Sequence, residues 1–194
     1  MVQKYELYFI INHELDTQTN SDLIKGVVTD LEVNGAKEIS TTEEGIKRLA
    51  YPINKNWNGF YCLINFEMDL TTTSNIKEIE RKLNLNENII RYIIVNQTEF
   101  LDNKAKETLK ETEIKNHRDF NKGKKQKGDL SEFLGIKDVD YKNVEYLSQF
   151  ASPYSKIFVR TRTGNSAKSQ RKISRAIKRA RHMALMSFTP KHTA

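Results

Sequence analysis

The chain has 194 residues, 38% of them apolar and 29% charged, enough for one large domain or two small ones. No run approaches the ~20 apolar residues that a membrane-spanning helix needs, and a single cysteine excludes an internal disulfide, a Cys-rich zinc site and an iron–sulfur cluster. The formal charge of +7 conceals two opposed halves: residues 1–100 carry 10 Lys/Arg and 15 Asp/Glu, residues 101–194 carry 22 and 10, so a net of −5 is followed by a net of +12.

The N-terminus passes from Met1-Val2-Gln3-Lys4-Tyr5 straight into a strand pattern, without the apolar core of a signal peptide, so a cytoplasmic location is expected. Tyr5, Leu7, Phe9 and Ile11 recur with a period of two, which predicts a half-buried strand. Between Leu15 and Gly35, Ile24, Val27, Val28 and Leu31 stand at i, i+3, i+4 and i+7, one face of an amphipathic helix. Gly35 sits where a helix stops. Glu43 and Glu44 then fall on an expected loop, as a solvated pair and not as acid–base machinery. Two extended runs follow, Ile46–Ile53 and Phe60–Met68, joined by a polar, Gly-ended connection from Asn54 to Gly59 that signals a hairpin. Pro52 has no N–H to donate, which puts the first run at a sheet edge or a strand end. Cys62 lies between Tyr61 and Leu63 in the second run and reads as a buried structural thiol.

Thr71, Thr72, Thr73 and Ser74 are candidate N-caps of a second helix whose inner face carries Ile76, Ile79 and Leu83. Ile89, Ile90 and Tyr92 to Val95 form a last β-rich run. The order βαββαβ predicts an α+β, ferredoxin-like domain over residues 1–101, a four-stranded antiparallel sheet with both helices on one face. Such a fold hosts many functions and decides none of them.

From Asp102 the composition changes. Residues 102–128 hold nine Lys/Arg and five Asp/Glu, with Leu109, Ile114 and Phe120 as the main large apolar side chains. So little apolar surface cannot offset the entropy of ordering, and residues 102–138 read as a charged, flexible linker with an r.m.s. span of roughly 30–36 Å. Residues 139–194 read as a small, mainly helical basic domain. It opens on a short helix with Tyr141, Val144, Leu147 and Phe150 on one side, ended by Pro153. Lys156–Arg160 is a brief extended run, Thr163-Gly164-Asn165-Ser166 a turn and cap, and a longer helix runs from Ala167 to Leu185.

That last helix carries the strongest chemical signal. At 100° per residue, Ile173, Ala176, Ile177, Ala180 and Ala184 form a narrow apolar stripe. Lys168, Arg171, Lys172, Arg175, Lys178 and Arg179 occupy the opposite sector, with Arg181 at its flank, and no Asp or Glu occurs after Glu145. Solvated charged faces normally mix signs; a face of cations alone repels itself and calls for an external counter-ion, for which phosphate is suited. Arg160 and Arg162, just before the helix, extend the patch, so these nine side chains are the candidate nucleic-acid contacts. Phosphate contacts carry no sequence information, and the spacing leaves RNA and DNA both open. His13, His117, His182 and His192 show no metal-ligand spacing, and no P-loop, Rossmann fingerprint or nucleophile elbow is present. No catalysis, cofactor or metal is expected. A regulatory RNA- or DNA-binding protein with a ferredoxin-like sensor domain is the alternative to a structural ribonucleoprotein component.

The first hundred residues resemble bacterial small-subunit ribosomal protein six. The likeness lies in Tyr5-Glu6, Gly35-Ala36, the run from Gly45 through Arg48-Leu49-Ala50-Tyr51-Pro52-Ile53 to Lys55, Gly59-Phe60-Tyr61, Phe66-Glu67-Met68 and Asn88-Ile89-Ile90-Arg91. From about residue 139 the chain resembles small-subunit ribosomal protein eighteen, in Asp140–Glu145, Thr163–Lys168, Gln170-Arg171, and above all the run from Arg175 to Leu185 followed by Phe188. It departs from that family in lacking a Leu-Pro pair near Phe158-Val159, in having Ser187 before the closing Phe, and in lacking the Cys zinc site of some members. The resemblance implies a structural component of the small ribosomal subunit, in which these two proteins pair and join the central domain of the rRNA on the platform after protein fifteen. Here both partners share one chain, so the pairing is expected to be intramolecular, without any membrane.

Overall fold

The structure, a computed structural model, describes residues 2–69, 75–97 and 139–189. They fall into two units, one of residues 2–48, 53–69 and 75–97, the other of Leu49–Pro52 with residues 139–189. The expected linker at 102–138 and the candidate caps Thr71 to Ser74 lie outside the described residues.

The first unit runs β1 (Val2–Asn12), α1 (Thr17–Val33), β2 (Lys37–Ile53), β3 (Asn56–Asp69), α2 (Ile76–Leu85) and β4 (Ile89–Asn96). The sheet order is β2-β3-β1-β4 and every neighbouring pair is antiparallel, the ferredoxin-like arrangement. β1 pairs on both sides, and its register sets Phe9 opposite Cys62, Leu7 opposite Ile64 and Tyr5 opposite Phe66. Those six side chains make one face of the sheet, on which Ile24, Val27 and Leu31 of α1 and Ile79 and Leu83 of α2 pack into a single core. Both helices therefore lie on that face, as the period-two and 3.6-residue patterns require. Each such large apolar side chain contributes roughly 1.5–3 kcal/mol on full burial. Cys62 belongs to this core, and burial, reinforced by the charges of Glu43 and Glu44, pushes its thiol up to about 12, so it stays a neutral structural group.

Three local expectations need correction. β1 is buried on both faces: Tyr8 and Ile10, which the alternation left for solvent, are as inaccessible as Leu7 and Phe9. The Tyr8 and Tyr61 rings meet at 5.4 Å on that second face, so tyrosines placed at polar-side positions act there as apolar surface. Glu43 and Glu44 are not on a loop but inside β2. Glu43 pairs with Cys62 and Gly45 with Tyr61, so Glu44 is the extra residue of a bulge, and Gly45 supplies its left-handed backbone at φ 80°. The bulge aims the Glu44 carboxylate at the Tyr8 hydroxyl and at Lys47 Nζ, 2.8 Å away. The hairpin connection is two residues, not six: Ile53 pairs with Asn56, leaving Asn54 and Lys55 at φ 50° and 67°, the positive pair that a tight primed turn needs. Pro52 does sit on an edge strand.

In the second unit the elements are α3 (Val144–Ser148), α4 (Arg160–Thr163) and α5 (Ala167–His182). Asn143 caps α3 by accepting from the Tyr146 N–H at 3.1 Å, and Tyr146 and Phe150 meet edge to face at 5.1 Å. The expected extended run at Lys156–Arg160 is reduced to an isolated bridge between Ala151 and Ile157, and Arg160 already begins a helical turn.

The ends of α1 and α5 close in the same way. After α1, the Gly35 N–H donates to the Glu32 carbonyl at 2.9 Å and the Ala36 N–H to the Leu31 carbonyl at 3.0 Å, with Gly35 left-handed at φ 89°. After α5, the Ala184 N–H donates to Arg181 at 3.1 Å and the Leu185 N–H to Ala180 at 2.9 Å, with Ala184 left-handed at φ 53°. The helix thus stops at His182 and not at Leu185: an alanine occupies a position usually marked by glycine. Replacing Gly35 by Ala should lower stability by about 1–2 kcal/mol, the cost of a left-handed L-residue. Urea denaturation of the full chain followed by far-ultraviolet circular dichroism measures it; an unchanged midpoint would contradict the cap geometry.

Candidate nucleic-acid interface

The turn between α4 and α5 determines where the cations stand. Gly164, at φ 74°, ends α4, and Ser166 caps α5 by accepting from the Ser169 N–H at 3.1 Å. Thr163 and Asn165, on either side of Gly164, are buried polar residues. The Asn165 side-chain amide donates to Gln170 Oε1 at 3.3 Å, and Gln170 Nε2 in turn donates to the Phe158 carbonyl at 2.8 Å. This clamp ties the first turn of α5 to the segment before α4. Arg160 and Arg162 are therefore on a short helical turn, both exposed, with the Arg162 guanidinium 4.0 Å above the Phe158 ring.

Along α5, Ile173, Ala176, Ile177 and Ala180 are buried, continued by Met183 and Ala184 beyond its end. Lys168, Arg171, Arg175 and Lys178 are exposed, while Lys172 and Arg179 are half-buried. Long stems of this kind lie along apolar surface and keep their charged heads in water. Seven Lys/Arg pairs stand at i,i+3 or i,i+4 on this helix, and at ~0.2–0.5 kcal/mol each their repulsion sums to roughly 1.5–3.5 kcal/mol. No acidic residue stands in its first turn, where Lys168 adds its charge to the positive end of the helix dipole. Burial of Ile173 and Ile177 holds the helix against that repulsion, and a polyanion would remove it.

Arg181 differs from the other eight. It is half-buried, and loss of hydration holds its guanidinium below the ordinary arginine value. Nη2 donates to the Ser155 carbonyl, and the guanidinium lies 5.9 Å from the Phe188 ring centroid. Its own carbonyl accepts from the Tyr51 hydroxyl at 2.7 Å, while the Ala184 carbonyl accepts from the Ala50 N–H at 2.7 Å. Tyr51 and Phe188 meet edge to face at 5.6 Å. Tyr51 and Ala50 thus donate to carbonyls at and just after the C-terminal end of α5, that of Arg181 being shared with the Ala184 N–H. Sequence reasoning missed this cluster: Tyr51, Ser155 and Phe188 are far apart in the chain and share no spacing or charge signal. His182 is exposed beside it. Among the described residues, no group of three His, Cys, Asp or Glu side chains could hold a metal ion, and no helix is long and apolar enough to cross a membrane.

Two family models match the chain, both of ribosomal proteins: Ribosomal protein S6 over residues 4–96 and Ribosomal protein S18 over residues 135–186. The first half is 41% identical over 96 residues to small ribosomal subunit protein bS6 of Fusobacterium nucleatum, a match covering 50% of this chain and 99% of that protein. A crystal structure of 30S ribosomal protein S6 from Thermotoga maritima is similar with 22% identity and a TM-score of 0.48, covering 56% of this chain and 99% of that one. The chain belongs to the ribosomal protein S6 family and carries, on the same polypeptide, a ribosomal protein S18 domain that contains α3, α4 and α5.

The two kinds of arginine should respond oppositely to neutral substitution in the free protein. Arg175→Gln removes four like-charge neighbours and should stabilise the chain by about 1 kcal/mol at low ionic strength. Arg181→Gln removes a charged hydrogen bond to a backbone carbonyl and should destabilise it by about 1–2 kcal/mol. Thermal unfolding of both variants in 20–50 mM salt, on the order of a 20 Å Debye length, separates them; equal shifts would contradict the distinction.

Proposed function

We propose that this chain is a structural, non-catalytic constituent of the small ribosomal subunit, working on the ribosome in the cytoplasm. Its second domain, 139–194, binds the rRNA backbone through Arg160, Arg162, Lys168, Arg171, Lys172, Arg175, Lys178 and Arg179. Arg181 holds the end of α5 in place beneath that surface. The carrying observation is the cationic face of α5, built over a buried Ile/Ala stripe and free of any carboxylate in its sequence.

The domain 1–101 is the docking mate, and residues 102–138 tether it. Support comes from Leu49–Pro52: it lies within the part matched by the S6 family, yet it groups with the S18-like residues and hydrogen-bonds the end of α5. Joining two partners on one chain supplies an effective concentration on the order of mM, so pairing no longer depends on the abundance of two separate proteins. The paired domains occupy the platform, on the central domain of the small-subunit rRNA beside protein fifteen.

The test is binding of the full chain to a transcript of that central domain across a range of KCl concentrations. Six to eight neutralised phosphates give a log–log slope of about −4 to −7. Replacing Arg171, Arg175 and Lys178 together by Gln should reduce the slope by about 2–3 and abolish co-sedimentation with small subunits at high salt. A flat salt response, or undiminished incorporation of the triple variant, would overturn the proposal.

A further inference from the structure

We infer that the β2–β3 hairpin is a second RNA contact, in which Trp57 stacks on one unpaired base while Arg48 and Lys55 meet the flanking phosphates; the inference rests on the rRNA-binding reading above. The first unit's sequence is acidic overall, but residues 45–66 hold Lys47, Arg48 and Lys55 and no Asp or Glu. Lys47 is paired with Glu44, so Arg48 and Lys55 supply the positive charge at this edge hairpin.

The geometry suits a fixed platform. Pairing of Ile53 with Asn56 limits the loop to Asn54 and Lys55, both held left-handed, so the tip is a tight turn and not a long loop. Trp57 follows at once on β3, and Arg48, which pairs with Asn58, brings its guanidinium to 5.9 Å from the indole centroid. Trp57 is 52% exposed, whereas Tyr61, four residues along the same strand, is fully buried. A tryptophan left in solvent beside an arginine offers a π-face already flanked by a cation. Arg48 and Lys55 are exposed as well.

The size and charge of the patch favour a nucleotide over a protein. A stable protein interface needs about 800 Å² and 20–30 residues on each side, while a base needs one aromatic ring and its phosphates need cations. Stacking of one base on such a ring changes affinity by about 5- to 150-fold.

Trp57 is the single tryptophan of the chain, so its emission reports this contact directly. The full chain is titrated with the central-domain transcript while emission and filter-bound RNA are recorded together. Emission quenched by half or more, in step with binding, is expected, together with a loss of affinity of about tenfold in Trp57→Ala at unchanged salt slope, largely restored in Trp57→Phe. A circular dichroism spectrum and unfolding midpoint like those of the parent chain show that Trp57→Ala is folded. Normal binding with unchanged emission would overturn this inference while leaving the α5 reading intact; loss of binding only in the α5 triple variant does the same. If Trp57 emission responds to other purified small-subunit proteins and not to the transcript, the hairpin is a protein contact and the inference is wrong.

Discussion

The structure of the second unit is governed by one electrostatic constraint: a helix whose exposed face is cationic along its whole length must be held together by its other face. Repulsion among the seven neighbouring Lys/Arg pairs and burial of Ile173 and Ile177 are of comparable size, a few kcal/mol each. The buried Ala176 and Ala180 allow close packing of neighbouring side chains and add little burial energy of their own. The capped turn at Thr163–Ser166 and the carbonyls taken up by Ala50 and Tyr51 then secure the two ends of α5. A helix poised in this way presents its charges in fixed positions and gains stability when phosphates arrive. On the proposed rRNA-binding reading, a phosphate backbone on this face would relieve the same repulsion that the buried face opposes.

The first unit solves a different problem. β1 is central and buried on both faces, so the sheet cannot be read as one apolar and one wet surface. Tyrosines at positions 8 and 61 make this possible, since their rings fill space while the Tyr8 hydroxyl finds the Glu44 carboxylate that the β2 bulge delivers. The same edge strand supplies Leu49–Pro52 to the second unit and Arg48 to the hairpin patch. β2 is therefore the strand shared between the two units, and its proline, bulge and tight turn are the features that shape it.

Much of this was legible in the sequence, and the failures have physical causes. Element order, helix faces and the core positions Leu7, Phe9, Ile24, Val27, Leu31, Ile79 and Leu83 follow from periodicity, because burial enforces it. The start of β2 at Lys37 is hidden because Lys37–Gly45, apart from Ile39 against the core, is polar and mostly exposed at a sheet edge, which leaves no alternation to read. The end of α5 was overrun because Ala184 adopts the left-handed cap position without the glycine that would announce it. Among the candidate contacts, the cationic sector of α5 could be seen on a helical wheel. The separate duty of Arg181 could not, since it depends on Ser155, Tyr51 and Phe188, which meet it only in three dimensions.

Hydrogen exchange of the α5 backbone amides, in the full chain at low salt with and without the central-domain transcript, tests the central electrostatic claim most directly. The account predicts that amides of residues 171–182 exchange markedly faster than those of β1 in the free protein and slow by tenfold or more once RNA is bound. Equal protection of α5 in the free and bound states would contradict it, for then the cationic face would impose no strain that a phosphate backbone relieves.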